Sequence, residues 1–400
     1  MSKGRLSAID SRRFRAPKTV PSGGPGIACF VSPHGFGHAA RAAAVMEAIQ
    51  QRRRDVRFEI FTTVPGWFFE KSLNAPFSLH PVATDVGFEQ ATPFVQDLEA
   101  TRKRLDRFLP FDDRHVGDLA RQLRDRRCAL VICDISPLGI AVGRAAGMPT
   151  ALIENFTWDW LYEGYAVLAG NIRHHIRYLR RIFQSADVRI QTEPVCAPNQ
   201  DSPIVGPTSR PPRSERLQVR NRLAVPSANK MVLVTTGGIP DRYEFLDVLR
   251  TRTEVVFVLP GGAEGFERRG NLILLPVNSD FFHPDLVAAS DAVVGKVGYS
   301  TLAEVHAAGV PFGYIQRSDF RESRVLVEFV QKEMNAVDID ITAFYNGDWL
   351  QRLPELLAMP RRRTQRANGA TQIAELLSRF YDTHPHPNTR GRNREDRTDQ

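Results

Sequence analysis

The chain has 400 residues, more than one hydrophobic core usually spans, so its length predicts two domains. A composition 42% hydrophobic and 24% charged is that of an ordinary globular protein and excludes a disordered or fibrous class. The net charge of +8 suggests nucleic acid until it is located: six bases against Asp10 fall in residues 1–26, four arginines against three acids in 383–400, and +2 remains between them. No nucleic-acid partner is expected.

Residues 1–25 and 383–400 are poor in large apolar side chains and are expected to be disordered tails. Cys29, Cys128, Cys133 and Cys196 form no C-x-x-C pair, which fits a reduced, cytoplasmic protein. No apolar run approaches the ~18 residues of a membrane span, and the N-terminus lacks the apolar stretch of a secretory signal.

In chain order, "GIACFVS" (26–32) reads as a strand, Arg41–Arg52 as an Ala-rich helix and "VRFEIFTT" (56–63) as the next strand. "CALVICDIS" (128–136), "GIAVGRAAGM" (139–148) and "PTALIENF" (149–156) read as strand, helix, strand. The Pro- and Ser-rich stretch 200–216 is expected to link the domains. After it come strands "MVLVTTGG" (231–238), "TEVVFVLPGG" (253–262) and "NLILLPV" (271–277), then helix, strand, loop, helix, strand over 285–316. Strands alternating with helices predict an α/β fold of two Rossmann-like domains facing a central cleft, where ligands of such sheets bind. The boundaries read as 26–199, 217–360 and a C-terminal helix over 361–382.

Between the first strand and helix lies "PHGFGHAA", with two histidines on a glycine turn. Gly35, Gly37 and Ala40 match a dinucleotide fingerprint, but the second strand ends in Thr62 and Thr63 instead of the acidic residue a ribose would need. The catalytic reading asks for a base near neutral pH, which His38 on the first helical turn can supply, with His34 beside it. The competing reading is that both histidines bond local carbonyls. Asp134, at the end of "VICD", either orients a histidine, meets an acceptor or caps the next helix.

"VVGKVGYSTLAEV" (293–305) runs a strand into a glycine turn and a helix. Thr301 and Glu304 fit a capping box, with Ser300 or Thr301 as the cap; the free amides and Lys296 also suit a phosphate. "ENFTWDW" (154–160) offers aromatic faces and acidic groups to a sugar ring, with core packing as the alternative for each tryptophan. Arg173, Arg177, Arg180 and Arg181 read as a solvated helix face, with a pyrophosphate-bearing or membrane-surface acceptor as the lesser reading.

In "GFGHAARAAAV" and "GKVGYSTLAEV" the chain resembles the GT-B glycosyltransferases related to the peptidoglycan N-acetylglucosaminyltransferase. It is more similar still, over roughly residues 26–345, to the glycosyltransferase-like N-terminal half of plant L-arabinokinase. No sugar-kinase motif follows, so no kinase activity is implied.

The resemblance implies a GT-B fold and transfer of a hexose-type sugar from a nucleotide-diphosphate donor, UDP-linked, to an acceptor hydroxyl of unknown identity. Inversion without an essential metal or other cofactor is implied as well. His38, His34 and Asp134 would be catalytic, and Gly35, Gly37, Glu154, Asn155 and Trp158 would lie on the acceptor side. Gly237, Gly238, Lys296, Gly298, Ser300, Thr301 and Glu304 would hold the nucleotide, and Asp319, Arg321 and Glu322 the donor sugar. The first domain would take the acceptor and the second the nucleotide sugar; a non-catalytic sugar-nucleotide-binding protein on the same fold is the alternative.

Overall fold

The computed structural model describes residues 25–92, 95–165, 171–237, 245–317 and 320–383. The expected tails therefore lie almost wholly outside the described residues, as do Gly238 and Asp319.

The first sheet is built from β1 (Gly26–Val31), β2 (Arg57–Phe61), β3 (Phe77–His80), β6 (Cys128–Asp134), β7 (Thr150–Glu154), β8 (Val188–Thr192) and β9 (Ile204–Val205), with the hairpin β4 (Glu89–Thr92) and β5 (Val95–Asp97) beside it in the chain. Its strand order is β3-β2-β1-β6-β7-β8-β9, and every pairing is parallel. The second sheet uses β10 (Lys230–Thr235), β11 (Val255–Pro260), β12 (Glu267–Arg269), β13 (Leu272–Leu275), β14 (Ala292–Lys296), β15 (Phe312–Ile315) and β16 (Ala336–Asp338). Its order is β12-β13-β11-β10-β14-β15-β16, parallel except for the β12–β13 pair.

The central strands of both sheets are apolar along most of their length, because helices cover both faces; β1 and β6 are buried at every position. Each sheet reverses direction beside its first strand, β1 between β2 and β6, β10 between β11 and β14. Chains leaving such neighbours diverge to opposite faces and open a crevice at the carboxyl ends of the strands. The two histidines follow β1, Asp134 ends β6, Gly237 follows β10 and Lys296 ends β14.

The helix Phe36–Arg52 explains its own alanines. Ala39, Ala40, Ala42, Ala43 and Ala44 are all buried, and their small size lets the helix lie between the sheet and a second helix. That second helix is Gly369–Thr383, whose Ile373, Ala374 and Leu377 enter the core of the first sheet. The C-terminal helix thus returns to the N-terminal domain. The stretch 200–216 also does more than link: it supplies edge strand β9 before crossing to the second sheet.

Candidate functional site

Two adjoining cavities occupy the cleft, with empty volumes of about 1100 and 940 Å³, both open to solvent. Phe36, Gly237, Ser300 and Thr301 line both of them. The junction is therefore the N-terminus of the helix Tyr299–Ala308, where the chain leaves β14 through Gly298. The first-turn amides of a helix have no intrahelical acceptor and carry the positive end of the dipole, which makes the junction attractive to an anion. Lys296, buried, lines the first cavity beside it.

The first cavity holds the histidines. Gly35 takes a left-handed conformation (φ 76°), which turns the chain sharply from β1 into the helix and sets His38 on its first turn. His38 Nδ1 lies 2.9 Å from Asp134 Oδ1. Arg41, one turn further along, donates Nε to Oδ2 and a terminal N–H to Oδ1, both at 2.7 Å. Its other terminal nitrogen donates to Asn155 Oδ1, and Asn155 donates in turn to the Thr192 hydroxyl at 2.7 Å. Burial alone would raise the Asp134 carboxyl; the Arg41 charge and the hydrogen bonds from Arg41 and His38 outweigh it and hold Asp134 below its usual range. The carboxylate therefore stays ionised and accepts from His38. With Nδ1 committed, Nε2 is the ring nitrogen left for proton transfer.

His34 lines the same cavity but sits edge-on to Trp158 at 5.6 Å. Burial, with His38, Arg317 and Lys296 nearby, pushes it down to about 3, so it is neutral at physiological pH. Gly87, itself in the left-handed region (φ 65°), passes so close that a Cβ there would lie 2.6 Å from His34 Nδ1. Phe88, Phe156, Trp158, Tyr299 and Phe320, with Leu161 among them, give the rest of this cavity a largely aromatic wall.

The second cavity lies between the second sheet, at the strand ends Thr235 and Pro260 and at Val277 just past β13, and an aromatic face of the first domain, Phe36, Trp67 and Phe68. Glu304 is at its floor, buried. Its Oε1 accepts two N–H groups of Arg210 at 2.9 and 3.0 Å, and its Oε2 lies 2.7 Å from His283 Nδ1. Burial would raise Glu304; the Arg210 charge and the His283 hydrogen bond instead hold it low. Arg210 also donates to Ser72 Oγ at 3.0 Å and lies 5.0 Å from the ring centres of both Phe68 and Phe282. Lys71 donates to the Asn278 and Ser279 carbonyls, so the helix Gly66–Ser72 is tied across the cavity.

Most of the residues singled out in the sequence meet around these cavities: His34, Gly35, Gly37, His38, Asn155, Trp158, Gly237, Lys296, Gly298, Ser300, Thr301 and Glu322 line the first, and Glu304 the second. Three expectations need correction. Glu154 lies behind the site, fully buried against Arg189 and Gln191, because its strand points it into the sheet layer. Arg321 is drawn into a contact between the domains: it stacks 4.0 Å over Trp160 and donates to that residue's carbonyl, and it lines neither cavity. The Thr301–Glu304 capping box does not form; Gly298 is the N-cap and Glu304 is claimed by Arg210 and His283. The nearest acidic residue of β2, Glu59, pairs with His80 and Arg126.

Sequence reasoning passed over Arg41, Arg210, His283 and the Trp67–Phe68 wall. Arg41 carried a usable signal, a single charge three residues after His38 on an otherwise alanine face. Arg210 carried none, lying in a Pro-rich stretch with no period. Asp106, His174 and His175 bring one ligand-type atom each within 4.8 Å of one another, away from both cavities. Among the described residues no helix is long and apolar enough to cross a membrane.

Behind the histidine loop, Asp85 is buried and accepts from Ser32 Oγ at 3.0 Å. Burial pushes it up to about 7, against the bond from Ser32. A carboxyl raised in the fold binds a proton that the unfolded chain has already lost, so its stabilising contribution fades as pH rises from about 4 to 7. Asp85→Asn is expected to raise the melting temperature at pH 8 by several degrees and to change it little at pH 4.5, checked by thermal denaturation across that range. An unchanged difference between the two pH values would mean that Asp85 stays ionised.

Comparison with known proteins places this geometry. No family model matches the chain. It is 26% identical over 364 residues to L-arabinokinase of Arabidopsis thaliana, covering 88% of this chain and 34% of that protein, so it spans about a third of its relative's length. Among solved structures it is similar to the calicheamicin glycosyltransferase CalG4, with a TM-score of 0.59, 15% identity and coverage of 91% of this chain and 100% of that one. It is also similar to UGT89C1 of Arabidopsis thaliana, solved with UDP (TM-score 0.56, 15% identity, 88% of this chain and 94% of that one) and with quercetin (0.60, 14%, 90% and 99%). Two parallel-sheet domains around a cleft, matched over nearly their whole length by glycosyltransferases, give this chain a GT-B glycosyltransferase-like fold.

Proposed function

We propose that the chain is a glycosyltransferase that moves a hexose-type sugar from a nucleotide-diphosphate donor to an acceptor hydroxyl. One observation carries this reading: two cavities, one with a histidine–aspartate couple and one with a carboxylate among aromatic rings, meet at a helix N-terminus. A donor would lay its nucleoside in the second cavity, its diphosphate across Gly237, Ser300 and Thr301, and its sugar in the first.

In this reading His38 Nε2 takes the proton of the acceptor hydroxyl as the oxygen bonds to the anomeric carbon. The bond from that carbon to the diphosphate breaks, and its electron pair leaves with the diphosphate. The amides of the Tyr299–Ala308 helix and Lys296 stabilise the leaving charge, which preorganised donors do without reorganising during the reaction. Asp134 keeps the imidazole in the right tautomer and stabilises the imidazolium. Attack from the face opposite the diphosphate gives inversion, and no step requires a metal. The first sheet is then the acceptor-side domain, 26–199, and the second the donor domain, 217–360.

UDP is the first candidate nucleotide, from the resemblance and from the UDP named for similar structures. The relation to the peptidoglycan N-acetylglucosaminyltransferase rests on the two glycine loops alone. The deciding experiment is thermal denaturation with a panel of nucleotides and nucleotide sugars, followed by acceptor screening with the best donor. A ligand at 100 times its dissociation constant stabilises the fold by about 2.7 kcal/mol. Failure of every nucleotide and nucleotide sugar to raise the melting temperature would reject the reading. Binding without transfer or hydrolysis would favour a sugar-nucleotide-binding protein.

A further inference from the structure

The His38–Asp134 couple contains a third member that the proposed reaction does not use directly. Arg41 grips both oxygens of Asp134 at 2.7 Å, and the same terminal nitrogen that bonds Oδ1 stands 3.4 Å from His38 Nδ1. It is 6% exposed and Asp134 is 2% exposed, so the cation and anion are buried together. A guanidinium fork on a carboxylate fixes the plane of that carboxylate as well as its charge. Asn155 fixes the fork in turn, through its bonds to Arg41 and to Thr192.

We propose that Arg41 is a positioning residue for the base: it aims Asp134 at His38 and holds a buried cation beside the couple. The proposal rests on His38 being the base.

Two effects follow from the geometry. Without Arg41, Asp134 would be free to turn within its pocket, and the tautomer of His38 would no longer be imposed by a fixed acceptor. The buried positive charge also stands 3.4 Å from His38 Nδ1, on the ring where the proton's charge would appear. Other groups around the couple leave Arg41 as the close fixed cation. Phe156 and Trp158 face His38 from the segment after β7, and His34 is neutral. Across the cleft Arg317 is paired with Glu322 at 2.7 Å, and Glu154 behind Arg41 is paired with Arg189 at 2.8 Å. Lys296, Tyr299 and Glu193, the last paired with Arg366 at 2.7 Å, line the cavity as well, and Asp85, pushed up to about 7, lies close enough to Asp134 to feel its charge.

The test is nitrogen-15 NMR of the His38 ring in the full chain, across pH 4.5–9, in the wild type, Arg41→Gln and Arg41→Lys, with hydrolysis of the best-binding nucleotide sugar measured alongside. In the wild type a neutral His38 protonated on Nδ1 is expected. Arg41→Gln is expected to raise the proton affinity of His38 about tenfold and to move the acid limb of the hydrolysis profile to higher pH by the same amount. Arg41→Lys keeps the charge and loses the fork; its titration should stay in place while hydrolysis falls about tenfold.

A His38 titration unmoved in Arg41→Gln, with only a lower melting temperature, would overturn the proposal. So would wild-type hydrolysis in Arg41→Lys, which also decides the matter if Arg41→Gln does not fold. The wild-type measurements report on the underlying reading separately: a His38 protonated on Nε2 defeats the base assignment itself, whatever the Arg41 variants do.

Discussion

His38→Ala is expected to lower sugar transfer by roughly 10²–10⁴-fold, the usual worth of a positioned base, while leaving nucleotide affinity within a factor of two or so. The separation follows from the cleft. His38 lines the first cavity and not the second, where the nucleoside is proposed to lie. The histidine faces the first cavity, packed beside Phe156 and Trp158 with 12% of its side chain exposed, so denaturation is measured alongside transfer. Asp134→Asn should slow transfer comparably but also destabilise the protein, because it leaves the Arg41 cation buried with half its partners gone; breaking a buried pair commonly costs about 3–5 kcal/mol. Transfer kinetics and denaturation on both variants distinguish the two contributions. Transfer at the wild-type rate by His38→Ala would remove His38 as base, and His34, neutral on the same wall, would be the next residue to replace.

That His38 and Asp134 meet was legible in outline. Glycines after β1 mark a turn, an aspartate at the end of β6 marks a strand end, and parallel α/β sheets bring the carboxyl ends of neighbouring strands together. Strands in both sheets were legible for a related reason: buried on both faces, they appear as short continuous apolar runs. The edges were not. β3 and β9 are short and carry little apolar weight, and β12 reads Glu-Arg-Arg. Charge pairing across the cleft was the least legible feature. Whether Arg321 meets a sugar or Trp160, and whether Glu304 caps a helix or meets Arg210, depends on contacts between segments more than ninety residues apart in sequence. A local pattern such as Thr-x-x-Glu cannot report the competing partner, and here the buried arginine provides two strong charge-assisted bonds where a cap would provide one.

Glu304 is where that competition has the largest measurable consequence. Both of its oxygens are already engaged, Oε1 by Arg210 and Oε2 by His283. Glu304→Gln therefore leaves a buried guanidinium facing a neutral amide and is expected to cost stability on the order of 3 kcal/mol, well beyond a surface substitution. Arg210→Met should cost a similar amount. The double variant should cost less than the two together, because each single change already breaks the same pair. Since Glu304 titrates below its ordinary value in the fold, its contribution is present above the unfolded carboxyl's pKa of about 4.3 and fades as pH falls through the lower, folded value. The wild type and Glu304→Gln should thus differ most near neutral pH and converge in acid. Binding reads a different property of the same residue. If ribose hydroxyls reach the Glu304 carboxylate when a donor enters, Glu304→Gln weakens UDP at least tenfold but leaves inorganic pyrophosphate, which has no ribose, unaffected. Equal loss of both probes would place the defect in the fold of the helix Tyr299–Ala308. UDP affinity at the wild-type level, alongside the expected loss of stability, would confine Glu304 to its ion pair and remove it from the donor site.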